Sequence, residues 1–130
     1  MKVMALDYGS ARTGVAVSDP TGTVARPLGV VEKAGAESGL AELGRLVLDE
    51  GVERVVVGLP LTLRGTRGEQ AAETERFVDV LRGVLHVPVE LFDERFTTDL
   101  AQQTAGAAPE DALAAAHLLS TYLEWCAARS

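Results

Sequence analysis

Only one cysteine, Cys126, stands among the 130 residues. It has no internal disulfide partner, which suits a reducing compartment. Lysine is almost as scarce. Ten of the twelve basic residues are arginine, set against 19 acids, and the net charge is −7. Such an acidic balance argues against a broad nucleic-acid-binding face, which would draw its affinity from neutralised phosphates. It leaves room for a local one, since arginine favours bidentate phosphate contacts over diffuse attraction. No apolar run approaches the roughly 20 residues of a membrane span. No Cys or His spacing suggests zinc, and His86 and His117 read as structural. Residues 1–20 carry Asp7 and Arg12 inside an apolar stretch, which is not the layout of a signal peptide. The expected compartment is the cytoplasm. Repeats, linkers and low-complexity segments are also missing.

What is present is enough apolar material for one core, at 47% of residues, and a length that fits a single domain over 1–130. The chain is organised around its first 19 residues. An apolar run of strand length ends on Asp7, a turn with Gly9 follows, and a second apolar run covers 15–17. That pattern predicts a hairpin with a buried first strand. Residues 23–31 form a third expected strand, with Pro27 marking an irregular or edge position. Residues 38–50 read as a helix with Leu40, Leu43 and Val47 on one stripe and Gly51 as its stop. A short β-branched strand over 54–57 should be buried on both faces. A loop over 58–68, a helix over 69–85 with Phe77, Val80, Leu81 and Val84 at helical spacing, and a strand over 87–92 come next. Thr97 or Thr98 can cap a short helix reaching about Ala105. Pro109 opens a last helix striped by Ala112, Ala115, Leu119, Tyr122 and Cys126. Early hairpins followed by βα alternation give an α/β fold with a mixed sheet and helices on its faces.

The acids fall where chemistry would need them. Asp7 and the pair Asp93–Glu94 sit at strand ends, where open α/β sheets place their ligands. Asp111 lies in the first turn of the last helix. Each also has an ordinary reading: a turn starter, a solvated ion pair, an acid favoured by the helix dipole. Carboxylates converging without a cation would repel one another, and a hard divalent ion such as Mg²⁺ or Mn²⁺ would hold them together. Two such ions about 4 Å apart activate water against a phosphodiester. The loop over 58–68 carries Arg64 and Arg67 among glycines and threonines just before a helix, a setting able to hold phosphates, although such a loop taken alone is more commonly an ordinary exposed one. Arg12 has the same two readings.

These residues, taken together, resemble a known family. Leu6-Asp7-Tyr8-Gly9 with Arg12-Thr13-Gly14-Val15-Ala16, then Gly58-Leu59-Pro60-Leu61 with Gly65, then Asp93-Glu94-Arg95-Phe96-Thr97-Thr98, then Asp111 with Ala114-Ala115 and Tyr122-Leu123, are similar in order and spacing to the YqgF-type proteins. These are described as pre-16S rRNA nucleases and Holliday-junction-resolvase-like proteins. The resemblance implies a ribonuclease H-like fold, a mixed five-stranded sheet flanked by helices. It also implies metal-dependent phosphodiester hydrolysis in structured RNA, maturing the 5′ end of pre-16S rRNA, with branched DNA as a further substrate. By position, Asp7, Glu94 and Asp111 become the catalytic and metal-binding acids, with Mg²⁺ or Mn²⁺ as the ion. Asp93 is the neighbouring candidate, because adjacent strand residues point to opposite faces. Arg12, Arg64, Arg67 and Arg95 become candidate phosphate contacts. The chain departs from the family at 102–110, which is short and has no Lys or Arg where members usually have a longer, basic loop.

The expectation is therefore a metal-dependent nuclease, monomer or homodimer, with no membrane association. A non-catalytic RNA- or ribosome-associated module is the alternative, favoured by the acidic charge and the short loop. A phosphotransferase of the actin-like superfamily ranks lower, because those enzymes need two lobes to enclose a nucleotide.

Overall fold

The computed structural model describes residues 1–60, 68–93 and 110–129. Five strands form one sheet in the order β3-β2-β1-β4-β5. β1 (Val3–Asp7) lies at its centre, between β2 (Arg12–Ser18) and β4 (Arg54–Leu59). β1 pairs antiparallel with β2, which pairs antiparallel with β3 (Ala25–Glu32). β1 pairs parallel with β4, and β4 with β5 (Val89–Asp93). The mixed sheet follows from the connections. A tight turn can only return the chain antiparallel, whereas α1 (Glu37–Glu50) and α2 (Glu69–Val84) carry it back to start the parallel strands.

Strand parity sorts the core into two layers. Met4, Leu6, Val15, Val17, Val55 and Val57 face α1 and α2 and pack on Leu43, Val47, Phe77, Val78 and Leu81. Val3, Ala5, Ala16 and Val56 face the other way, onto Ala115, Leu118, Leu119 and Tyr122 of α3 (Glu110–Arg129). β4 is buried from Val55 to Gly58, as its unbroken β-branched run suggested. β3 is an edge strand whose register shifts opposite Val15 and Ala16, which face Gly29 and Pro27 and leave Leu28 as the extra residue. Proline has no N–H for the ladder, so it sits where pairing is already broken. Gly51 closes α1 in the left-handed region (φ 66°), its N–H returning to Leu48 and Val47 carbonyls.

The structure moves one expected stripe. The buried positions of α2 are Ala71, Thr74, Phe77, Val78 and Leu81, while Val80 and Val84 are about half exposed. At about 100° per residue, the buried face centres near Thr74 and Leu81, and Val80 and Val84 fall off its edge. Thr74 sits in the core because its hydroxyl donates to the Gln70 carbonyl (2.9 Å). The short helix expected over 97–105 lies outside the described residues. Among those described, no helix is long and apolar enough to cross a membrane.

Candidate active site

Asp7 ends β1, and its parity with Val3 and Ala5 puts it on the α3 face of the sheet. Its partner across the antiparallel pair is Gly14. The missing side chain at Gly14 is what admits α3. A Cβ built there would lie 1.9 Å from the Asp111 carbonyl oxygen and 3.1 Å from the Ala112 nitrogen, so the first turn of α3 rests on bare backbone. Asp7 and Asp111 thus flank one glycine, since residues paired across antiparallel strands sit about 5 Å apart. Arg12 lies on the same face, and its Nε is 3.3 Å from Asp111 Oδ2 in a partly exposed ion pair.

The turn between β1 and β2 is locally fixed. Gly9 N–H donates to Thr13 Oγ1 (3.4 Å), and that hydroxyl donates to the Gly9 carbonyl (3.3 Å). A Cβ on Gly9 would lie 2.5 Å from the Arg12 carbonyl oxygen. Thr13 is fully buried, so the turn that carries Arg12 is anchored from below.

β5 answers a question of register. Val89 and Leu91 pack on the α1/α2 side, while Phe92 packs on the α3 side, where Glu90 also meets Tyr122. Asp93 therefore falls on the α1/α2 side, the face away from Asp7 and Asp111. Its strand runs parallel to β1 and β4, so all three end at one edge of the sheet. Glu94, Arg64, Arg67 and Arg95 lie outside the described residues.

Among the described residues no group of three or more acids, His or Cys is assembled around one point. The two acids whose backbones adjoin Gly14 supply hard oxygen donors, the kind that magnesium-like ions take one or two at a time. The donor chemistry fits a divalent cation, and a side chain at Gly14 would collide with the backbone that carries Asp111.

A second polar cluster escaped the sequence reading. Tyr122 of α3 is 2% exposed; its hydroxyl accepts from Arg54 Nη1 (3.0 Å) and donates to Glu90 Oε1. Burial pushes the Tyr122 hydroxyl pKa strongly up, the Glu90 bond adds to that, and Arg54 opposes it. The same contact raises Arg54. The available signal was a tyrosine inside an apolar stripe, since a buried phenol needs a partner.

Sheet order, pairing and the helices on both faces define a ribonuclease H-like α/β protein. Two solved structures share this fold. One is the Thermus thermophilus RuvC in complex with Holliday junction substrate: TM-score 0.60, 18% identity, covering 97% of this chain and 96% of that one. The other is the fowlpox virus resolvase with Holliday junction DNA: TM-score 0.56, 12% identity, covering 97% and 99%. A step further, the family model "RuvX: Holliday junction resolvase" matches residues 1–125, and the chain belongs to that family. Two relatives named "Putative pre-16S rRNA nuclease" are similar over nearly their whole length. That of Chloroflexus aggregans is 45% identical, covering 94% of this chain and 92% of its own, and that of Syntrophomonas wolfei is 35% identical, covering 95% and 94%. The chain is thus an enzyme of a nuclease family whose reaction is hydrolysis of nucleic-acid phosphodiester bonds, a chemistry this class generally performs with divalent metal.

Proposed function

We propose that this protein cleaves structured RNA, maturing the 5′ end of pre-16S rRNA, and that it also accepts branched DNA. In this reading residues 1–130 are one nuclease domain working in the cytoplasm as a monomer or homodimer. Asp7, Glu94 and Asp111 hold Mg²⁺ or Mn²⁺. The observation that carries the reading is the placement of Asp7 and Asp111 on either side of Gly14, their backbones both adjoining it. β5 parity adds to it: with Phe92 on the α3 face, Asp93 falls on the α1/α2 face, away from Asp7 and Asp111, which counts against Asp93 as the third acid.

A divalent ion bound there supplies Lewis-acid stabilisation of the phosphate and a more acidic water. The residues do the rest. Asp7 enters from the central strand, where the hairpin turn and the core beneath it fix its backbone, while α3 delivers Asp111. Arg12 orients Asp111 and offers its remaining N–H groups to a phosphate oxygen, and Arg64, Arg67 and Arg95 neutralise neighbouring phosphates.

Labelled single-stranded RNA, ribosomal-precursor RNA and a four-way DNA junction, each with Mg²⁺, Mn²⁺ or EDTA, test the reading beside Asp7→Asn. Cutting should need the metal. It should fall at least about 100-fold in the variant, since partners one shell further from a metal already cost about 10–100-fold, while the melting temperature does not drop. A folded Asp7→Asn protein that cuts at the wild-type rate overturns the assignment. Metal-independent binding of RNA without cutting supports a non-catalytic module instead.

A further inference from the structure

The sheet edge that carries Asp7 also opens on the opposite face. Tyr8, the next residue, packs on the α1/α2 side and lines a cavity of about 280 Å³ with Gly35, Glu73, Arg76, Phe77 and Val80. Its ring lies on that of Phe77, with centroids 4.3 Å apart and planes 21° apart. Phe77 is only 4% exposed, so the core holds the aromatic pair still. Above the rings stand one carboxylate and one guanidinium, Glu73 and Arg76, a turn apart on α2. Among the described residues neither is in an ion pair.

We propose that this cavity receives one unpaired base of the strand being cut, stacked on the Tyr8 side and read at its edge by Glu73 and Arg76. The inference rests on the nuclease reading and adds a specificity site to it. Size limits the ligand, because pockets for drug-sized molecules run from about 300 to 1,000 Å³, and this one suits a single ring system. A rigid aromatic platform with an arginine beside it is the usual way to hold an unstacked base. Position argues for the strand itself. Asp7 and Tyr8 are consecutive, with Cα atoms about 3.8 Å apart, and alternate to opposite faces. A strand whose phosphate lies over Asp7 meets the cavity as it crosses the sheet edge. The polar rim favours guanine. Glu73 accepts from N1–H and the 2-amino group while Arg76 donates to O6. Adenine would turn an acceptor, its N1, toward the carboxylate.

The test uses an RNA strand that contains guanines and is made in a series, each member lacking one base. Binding by fluorescence anisotropy and the KM and kcat for cleavage are measured for wild type, Tyr8→Leu and Arg76→Ala. The expected pattern is a single position, close to the cut, at which base loss weakens binding and raises KM about 5- to 150-fold, the range for one stacked base. In Tyr8→Leu that position should lose its penalty, a non-additivity that general destabilisation does not produce. Arg76→Ala should erase the preference for guanine over adenine there. Equal penalties along the strand, or a penalty unchanged in Tyr8→Leu, overturn the cavity's role. Should Tyr8→Leu not fold, judged by circular dichroism, the Arg76→Ala comparison decides. Absence of cleavage by wild type would defeat the nuclease reading separately, and the binding series would still report on the cavity.

Discussion

Gly14 shows how much of the site hangs on one missing side chain. Alanine there would drive its Cβ to 1.9 Å from the Asp111 carbonyl oxygen, which is backbone and has no rotamer to escape into. Overpacking of this kind costs about 1–3 kcal/mol. The relief available is a shift of α3, which carries Asp111 with it. Gly14→Ala should therefore lower the melting temperature and cut kcat by about 100-fold or more, since a misplacement of ~1 Å can cost that much. Gly44, inside α1 with nothing within 4 Å of a built Cβ, is the contrasting position. Gly44→Ala should stabilise by about 0.5–1 kcal/mol through helix propensity and leave cleavage alone. Thermal melts and initial rates on both variants separate close approach from mere glycine content.

Asp19 makes a residue-scale case in which pH is the probe. Its carboxylate accepts from the Thr21 hydroxyl and from the Thr23 and Val24 amides (2.7 and 2.8 Å), closing the turn before β3. The Thr21 bond and then the two amides hold this carboxyl well below the usual range. A lowered folded-state pKa means the charged form is favoured in the native protein. Its contribution is complete above the unfolded value of about 3.9 and disappears as pH falls toward the folded one. Asp19→Asn should melt below wild type at pH 7, and the gap should narrow as pH drops under about 4. A gap constant from pH 7 to pH 3 would mean that the charge is not what closes the turn.

At the scale of elements, α3 is clamped at two points, its first turn and Tyr122. Asp111 is held to Arg12 and Gly14 at the top, and Tyr122 is held between Arg54 and Glu90 lower down. Tyr122→Phe leaves two charged groups short of a shared partner and should cost about 1–3 kcal/mol. A double-mutant cycle with Glu90→Gln should give a non-zero coupling energy, because the two act through one hydrogen bond. These clamps also explain what the sequence made legible. Strands declare themselves by alternation and by β-branched runs, so the hairpin, β4 and the mixed sheet could be read directly. The strip of α2 could not, because Val80 and Val84 are apolar residues at helical spacing that lie beside the buried face. Nor could the face that Asp93 takes be read. Alternation gives relative faces, and only the packing of Val89 and Phe92 says which face is which. The Gly14–Asp111 and Arg54–Tyr122–Glu90 contacts join residues far apart in the chain, and no local pattern encodes them.

For the whole molecule the governing fact is its charge. A chain at −7 repels a polyanion at long range, so binding must come from a few arginines brought close to the strand. The proposed contacts number four: Arg12, Arg64, Arg67 and Arg95. Each phosphate neutralised on a single strand contributes a slope of about −0.7 in log K against log salt, so the four together predict about −3. Replacing one of them with alanine should make the slope shallower by about 0.7 and weaken all sequences alike. Arg76→Ala should leave the slope unchanged, because it reads a base edge in the cavity beside Tyr8. Anisotropy titrations over a range of KCl concentrations, with Mg²⁺ held constant, measure both. A slope near zero would place affinity in base stacking and shape. A slope far steeper than −3 would require a basic surface beyond these four residues, or a partner chain that supplies one.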